Sequence, residues 1–293
     1  MKKILLLTTL LSTAIFAQVK VATTYNYLAK VTKAIGGDEV KIDLLSSPKF
    51  DPHFIIPKPS LIGKLRREDL LIINGGQLEI GWLPPLLKSA NNAKINIGGS
   101  GFLDVSGAVE MINKPATVSR AYGDIHPDGN PHFATDIHNI IPIAELISMK
   151  LSLLDPSNKS IYEKNFEAFK SKMENLANSL STKYKSCQGK KLVQYHELFN
   201  YALKAYGVES IGTIEPLPGI SPSSKHTIEL ITKMKNQNVK TILQDVYHEK
   251  KTANFIANKT DARVKIVPHD VGAIDGIDSL ESFYTTIAEA ICQ

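Results

Sequence analysis

Four side chains with the chemistry of metal ligands stand far apart in this 293-residue chain, each just past an apolar run or a proline turn. They are His53 in Asp51-Pro52-His53, His132 in Asn130-Pro131-His132-Phe133, His196 in Val193-Gln194-Tyr195-His196, and Asp270 in Ile266-Val267-Pro268-His269-Asp270. Ligands two to five residues apart mark a small structural zinc clip closed by local loops. Ligands tens of residues apart meet only where a larger fold brings its strand ends together. Three imidazoles and one carboxylate complete a tetrahedral shell with no position open for a substrate water, which suits holding a metal rather than doing chemistry with it.

Local context supports grouping these four. Proline before His53 and His132 keeps the residue ahead of it extended and so fixes the approach of the chain. His196 and Asp270 each follow a strand-like segment, Lys191 to Tyr195 and Arg263 to Val267, and strand ends are where ligands gather in open α/β sheets. Other motifs carry less. His126 lies in the turn-rich Gly123-Asp124-Ile125-His126-Pro127-Asp128-Gly129 and reads first as a solvated loop histidine, with a transient metal-capture site as the alternative. His196-Glu197 lacks the second histidine of a zinc-protease helix, because Asn200 stands there. Gly98-Gly99-Ser100-Gly101 is followed by no Lys-Ser or Lys-Thr pair and is a loop, not a phosphate cradle.

The chain resembles the periplasmic substrate-binding proteins of zinc and manganese uptake ABC transporters, the ZnuA/TroA-like group. The matching pieces are Asp51-Pro52-His53, the stretch from Arg67 through Asn74-Gly75-Gly76-Gln77-Leu78-Glu79, Asn130-Pro131-His132-Phe133 and Tyr195-His196. Asp270, with Gly276 six residues on, fits the last ligand position of that group, and the neighbouring His269 is the alternative donor. Together these pieces span nearly the whole mature chain. The long His- and Asp-rich loop of many zinc-specific members is missing. The resemblance implies docking of the loaded protein on a membrane permease.

Lys2 and Lys3 followed by the apolar stretch Ile4 to Phe16 and the small Ala17 read as a secretory signal. No cysteine follows it, so the expectation is a soluble periplasmic protein with no lipid anchor, working as a monomer. The formal charge is only +5, and its basic residues are interspersed with acidic ones, so no nucleic-acid surface stands out. Cys187 and Cys292 are the only cysteines, an even count compatible with one bridge in an oxidising compartment.

Apolar runs alternating with helical patterns predict an α/β fold of two similar lobes with parallel sheets. The strands read are Val19 to Thr23, Val40 to Leu45, Leu70 to Asn74 and Lys94 to Ile97, then Lys191 to Tyr195, Glu209 to Ile214, Thr241 to Gln244 and Arg263 to Val267. Between them, Tyr162, Phe166, Phe169, Met173, Leu176, Leu180 and Tyr184 keep one stripe on a long linker helix of roughly 40 Å. The organisation expected is a signal peptide over 1–17, an N-terminal lobe over 18–154, the linker helix over 155–184 and a C-terminal lobe over 185–293. The metal site then falls in the interlobe cleft, with His53 and His132 from one lobe and His196 and Asp270 from the other. Imidazole nitrogens favour Zn²⁺, with Mn²⁺ a weaker match because its sites lean on oxygen donors. The reading is a binding protein and not an enzyme. The alternative is a secreted metallohydrolase with Glu197 as its general base.

Overall fold

Parallel strands covered on both faces need near-continuous apolar runs, and Leu70-Leu71-Ile72-Ile73 is such a run, buried throughout. In the computed structural model, which describes residues 18–115, 126–217 and 219–293, it is the third strand of the first sheet. The leader expected over 1–17 lies outside the described residues. The first sheet holds β1 (Val19–Thr23), β2 (Val40–Leu44), β3 (Leu70–Ile73) and β4 (Phe102–Asp104) in the order β2-β1-β3-β4. The second holds β5 (Lys191–Gln194), β6 (Glu209–Thr213), β7 (Thr241–Gln244) and β8 (Arg263–Ile266) in the order β6-β5-β7-β8. All pairs are parallel, with Val19 opposite Val40 and Val193 opposite Ile242. Counted from its own first strand, each sheet has the same order, so the lobes are similar. That order reverses its crossovers between first and third strands, the place where such sheets bind ligands outside their carboxyl ends.

The strand expected over Lys94 to Ile97 is a correction. Ala93–Ile95 forms a single tight turn, because the Asn92 side chain accepts the Lys94 amide at 3.1 Å. The chain then doubles back so closely that a Cβ on Gly101 would meet the Asp69 carbonyl at 2.0 Å. Only after that glycine does it enter β4, where Phe102 pairs with Leu71.

Helices α1 (Asn26–Gly36), α2 (Pro59–Leu65) and α3 (Leu83–Ala90) belong to the first half, followed by α4 (Ile137–Leu154). The long linker is α5 (Lys159–Lys183), entered through a turn at Pro156–Asn158. Its stripe buries Tyr162, Phe166, Phe169, Met173 and Leu180, and it packs along α1 and α4 and touches the last helix. Helices α6 (Asn200–Tyr206), α7 (Ser224–Asn236), α8 (Lys250–Thr260) and α9 (Leu280–Cys292) complete the second half. Phe283, Tyr284, Ile287 and Ile291 of α9 join the same apolar cluster as α1, α4 and α5, so one core runs through both lobes. A second cluster, including Val193, Ile242, Met234 and Ile256, lies between the second sheet and helices α7 and α8. Each such buried side chain stabilises the fold by about 1.5–3 kcal/mol, and a core shared across the lobes couples their positions.

Cys187 and Cys292 are bridged, with Cα atoms 5.0 Å apart and a sequence separation of 105. The bond ties the turn after α5 to the end of α9. In the chain-entropy model a closed loop of that size contributes roughly 4–5 kcal/mol. Unreduced protein is therefore expected to yield no free thiol on denaturation, and reduction should lower the melting temperature markedly. Two reactive thiols in fresh unreduced material would contradict the bridge.

Candidate metal centre

Asp51-Pro52-His53 and Asn130-Pro131-His132 use one local device. In each, the side-chain oxygen of the residue before proline accepts the histidine backbone N–H, at 2.9 Å from Asp51 Oδ1 and at 2.9 Å from Asn130 Oδ1. This turn aims the histidine into the cleft. Asp51 Oδ1 also accepts the His53 ring at Nδ1, 2.8 Å away. Asn130 reaches across, donating to the Glu197 carbonyl and accepting the Tyr201 hydroxyl on its own carbonyl.

His196 comes from the carboxyl end of β5, beside the switch point of the second sheet. The strand is pinned on both sides there, since the Tyr195 amide donates to Leu243 and the Glu215 amide donates to the Tyr195 carbonyl. Behind the ring, Nδ1 of His196 lies 3.1 Å from Glu215 Oε2. Glu215 Oε1 in turn meets His248 Nε2 at 3.2 Å, and His248 Nδ1 meets Asp245 at 2.6 Å. His248 stacks on Tyr195 with ring centroids 4.1 Å apart. Sequence reasoning gave neither Glu215 nor His248 a part, because each serves the site through another side chain and leaves no spacing signal.

These devices bring His53, His132 and His196 together, each with a ring nitrogen within 4.8 Å of the other two. His132 Nε2 and His196 Nε2 are 3.2 Å apart. A tetrahedral zinc with nitrogens at 2.0–2.1 Å separates its ligand atoms by about 3.3–3.4 Å, so the spacing matches one edge of such a shell. A carboxylate on Nδ1 requires the proton there, which leaves the Nε2 lone pairs of His53 and His196 facing the shared space. Beside the rings lies a cavity of about 170 Å³ lined by His126, His132, His196, Glu215 and Leu217.

The electrostatics favour neutral rings. Burial holds His132 well below the usual imidazole range, with His53 and His196 reinforcing it. Burial and the same two neighbours hold His126 down to about 3. Burial pushes Asp51 up, but its hydrogen bond and attraction to His53 outweigh this and hold it below the ordinary carboxylate range. The same contest leaves Glu215 at about 2, held by His196 and His248. For His248 burial lowers the pKa, and Asp245 and Glu215 overcome it, raising it to about 9.

Asp270, expected as the fourth ligand, is not brought to the three nitrogens. Its Oδ2 accepts the Asn26 amide and its Oδ1 the Tyr27 and Val271 amides, at 2.7 to 2.8 Å, so it caps the first turn of α1. Burial pushes this carboxyl up to about 7 against the pull of those amides. His269, the alternative donor, is buried edge-on against Tyr247 with its ring centroid 4.9 Å away. Glu197, the base that a hydrolytic alternative would need, is exposed.

Two lobes with matched parallel sheets and three histidines converging beside their strand ends frame a metal-binding centre. A family model for the zinc-uptake complex component A, periplasmic, matches residues 21–291, and the chain belongs to that family, whose members are the metal-binding components of ABC importers and not enzymes. The metal ABC transporter substrate-binding lipoprotein FimA of Streptococcus parasanguinis is 30% identical over 259 residues, covering 86% of this chain and 77% of that protein. The manganese ABC transporter substrate-binding lipoprotein PsaA of Streptococcus pneumoniae is 29% identical, covering 86% and 76%. A crystal structure of ZnuA shares the fold with a TM-score of 0.75 at 22% identity, covering 94% of this chain and 99% of that one.

Two outcomes follow for the metal-free protein. His248 is raised from about 6.5 in the unfolded chain to about 9, so its contribution is complete below about 6.5 and fades as pH rises through 9. The histidines held low, His126 and His132, add no slope in that window. The melting temperature should fall between pH 6.5 and 9, and His248→Gln should flatten the fall; parallel declines in both proteins would remove the Asp245–His248–Glu215 chain as the cause. Asp270→Ala leaves amides of α1 without an acceptor at roughly 1–3 kcal/mol, so the metal-free melting temperature should drop by several degrees. An unchanged metal-free melt would mean that the cap carries no weight.

Proposed function

We propose that this protein captures Zn²⁺ in preference to Mn²⁺ outside the cytoplasm, using His53, His132 and His196, and delivers it as a monomer to a membrane permease. The observation that carries this reading is the convergence of three imidazoles, with the Nδ1 atoms of His53 and His196 held by Asp51 and Glu215. Imidazole nitrogen suits zinc, whereas manganese is served by carboxylate, carbonyl and water oxygens. No carboxylate among the described residues joins the three nitrogens within 4.8 Å. PsaA carries manganese in its name, so membership of the family leaves the metal open and the donor set supports zinc. The bridged Cys187 and Cys292 support an oxidising compartment.

Metal binding to the native state adds RT ln(1 + [L]/Kd) of stability, about 4.1 kcal/mol at a thousandfold excess over Kd. Zinc should therefore raise the melting temperature more than manganese does. His53→Ala, His132→Ala and His196→Ala should each remove most of that rise, read by scanning calorimetry with either metal. Zinc affinity should also fall on acidification, since a protonated imidazole cannot coordinate. Tight manganese binding with no response to zinc would overturn the assignment.

A further inference from the structure

The three converging histidines supply three donors, and a closed zinc shell takes four. Asp270 is engaged by the backbone amides of Asn26, Tyr27 and Val271. Another imidazole stands closer. His126 Nε2 lies 3.2 Å from His53 Nε2, the same separation as His132 from His196 and again one edge of a zinc tetrahedron. The ring centroids of His53, His132 and His196 are 5.2 to 5.8 Å apart, and His126 adds 5.3 Å to His53 and 6.5 Å to His132. It therefore sits at the edge of the set, one side of the tetrahedron too long.

Its position is built, not incidental. The His126 carbonyl accepts the Gly129 amide at 3.2 Å, Asp128 takes a hydrogen bond from Gln77 at 3.3 Å, and Asn130 donates its amide to Ile112 at 2.8 Å. At Gly129 φ is 121°, and a Cβ there would meet the Ile112 carbonyl at 2.7 Å. The turn thus holds His126 against the cavity that His132 and His196 line. His53 has its proton on the Asp51 side, so its Nε2 lone pair faces His126. The His126 Nε2–H is then the donor to that lone pair.

We propose that His126 supplies the fourth imidazole to the captured metal, closing an all-histidine shell with His53, His132 and His196, while Asp270 remains the cap of α1. This rests on the zinc-capture reading above and adds to it the residue that excludes oxygen-seeking metals. Manganese loses its last carboxylate partner in such a shell.

The test uses the full exported protein, titrated with Zn²⁺ against a chromophoric chelator and with Co²⁺ by visible absorption. Wild type is compared with His53→Ala, His126→Ala, His126→Gln and Asp270→Asn, with circular dichroism as the check on folding. His126→Ala and His126→Gln are expected to weaken zinc by more than the roughly tenfold that loss of an outer hydrogen-bond partner costs, and to alter the cobalt bands. Asp270→Asn should keep the wild-type cobalt bands. The proposal is overturned if His126→Ala binds within twofold of wild type with unchanged bands. It is overturned equally if Gln restores the affinity, since Gln keeps the hydrogen bond to His53 but not the imidazole, or if Asp270→Asn alone changes the bands. Retained binding in His53→Ala would instead bring down the zinc-capture reading itself.

Discussion

Ring nitrogens 3.2 Å apart in a buried cleft are tolerable only while two facing rings are not both charged and one of each pair donates to the other. Two positive rings at that distance, away from water, would repel strongly. The carboxylates of Asp51 and Glu215 meet the second half of that condition by accepting the Nδ1–H groups of His53 and His196, which leaves their Nε2 atoms as acceptors. Burial meets the first half for His132 and His126. Much of the surrounding structure can be understood as the means of keeping this condition. Glu215 stays ionised because His248 lies on its other oxygen, and His248 stays protonated because Asp245 lies behind it. Charge therefore alternates along Asp245, His248 and Glu215, and the His196 ring at the end of that chain faces the cleft.

The folding pattern explains why those groups can meet. His196 follows β5, Glu215 follows β6, Asp245 and His248 follow β7, and Asp270 follows β8, so four carboxyl ends of one sheet contribute to one region. From the other sheet, His53 lies beyond β2 and His132 beyond β4. The lobes must then be held in register to within a fraction of an ångström. Asp270 helps by reaching from the second lobe to the first turn of α1, and Tyr284 of α9 donates to the Ala134 carbonyl two residues past His132. With α5 packed along α1 and α4 and touching α9, the cleft is framed by a shared core instead of a free hinge.

His53, His132 and His196 were legible in the sequence because proline turns and strand ends are local signals, and each histidine carries its signal beside it. Both sheets were legible for the same reason, apart from the strand placed at Lys94 to Ile97. There Ile95 and Ile97 alternate like a strand, yet the Asn92 cap and the close approach at Gly101 displace the pairing to Phe102. Asp270 shows a different limit. A carboxylate at a strand end reads alike whether it faces a metal or the amides of a helix more than two hundred residues away, and only the folded chain separates the two. Glu215, Asp245 and His248 were illegible because their spacing reflects sheet order, not helix or strand period. His126 read as a solvated loop residue because nothing nearby in sequence reveals that Gly129 pins its turn to Ile112.

Selectivity in such a site comes from donor type and geometry, because raw affinity would rank copper and nickel beside or above zinc. The donors that converge here are imidazole nitrogens, and the carboxylates of Asp51 and Glu215 stand behind two of them, where a hydrogen bond to Nδ1 strengthens an imidazole as a ligand. In the empty state each of these carboxylates still has hydrogen-bond partners, Asp51 on His53 and Glu215 on both His196 and His248. A carboxylate moved from Glu215 into the ligand shell would invite oxygen-seeking cations and, with the cleft empty, leave an unpaired buried charge. Placing carboxylates behind the histidines thus fixes the rings by their Nδ1 atoms and leaves nitrogen as the donor they offer to the cleft.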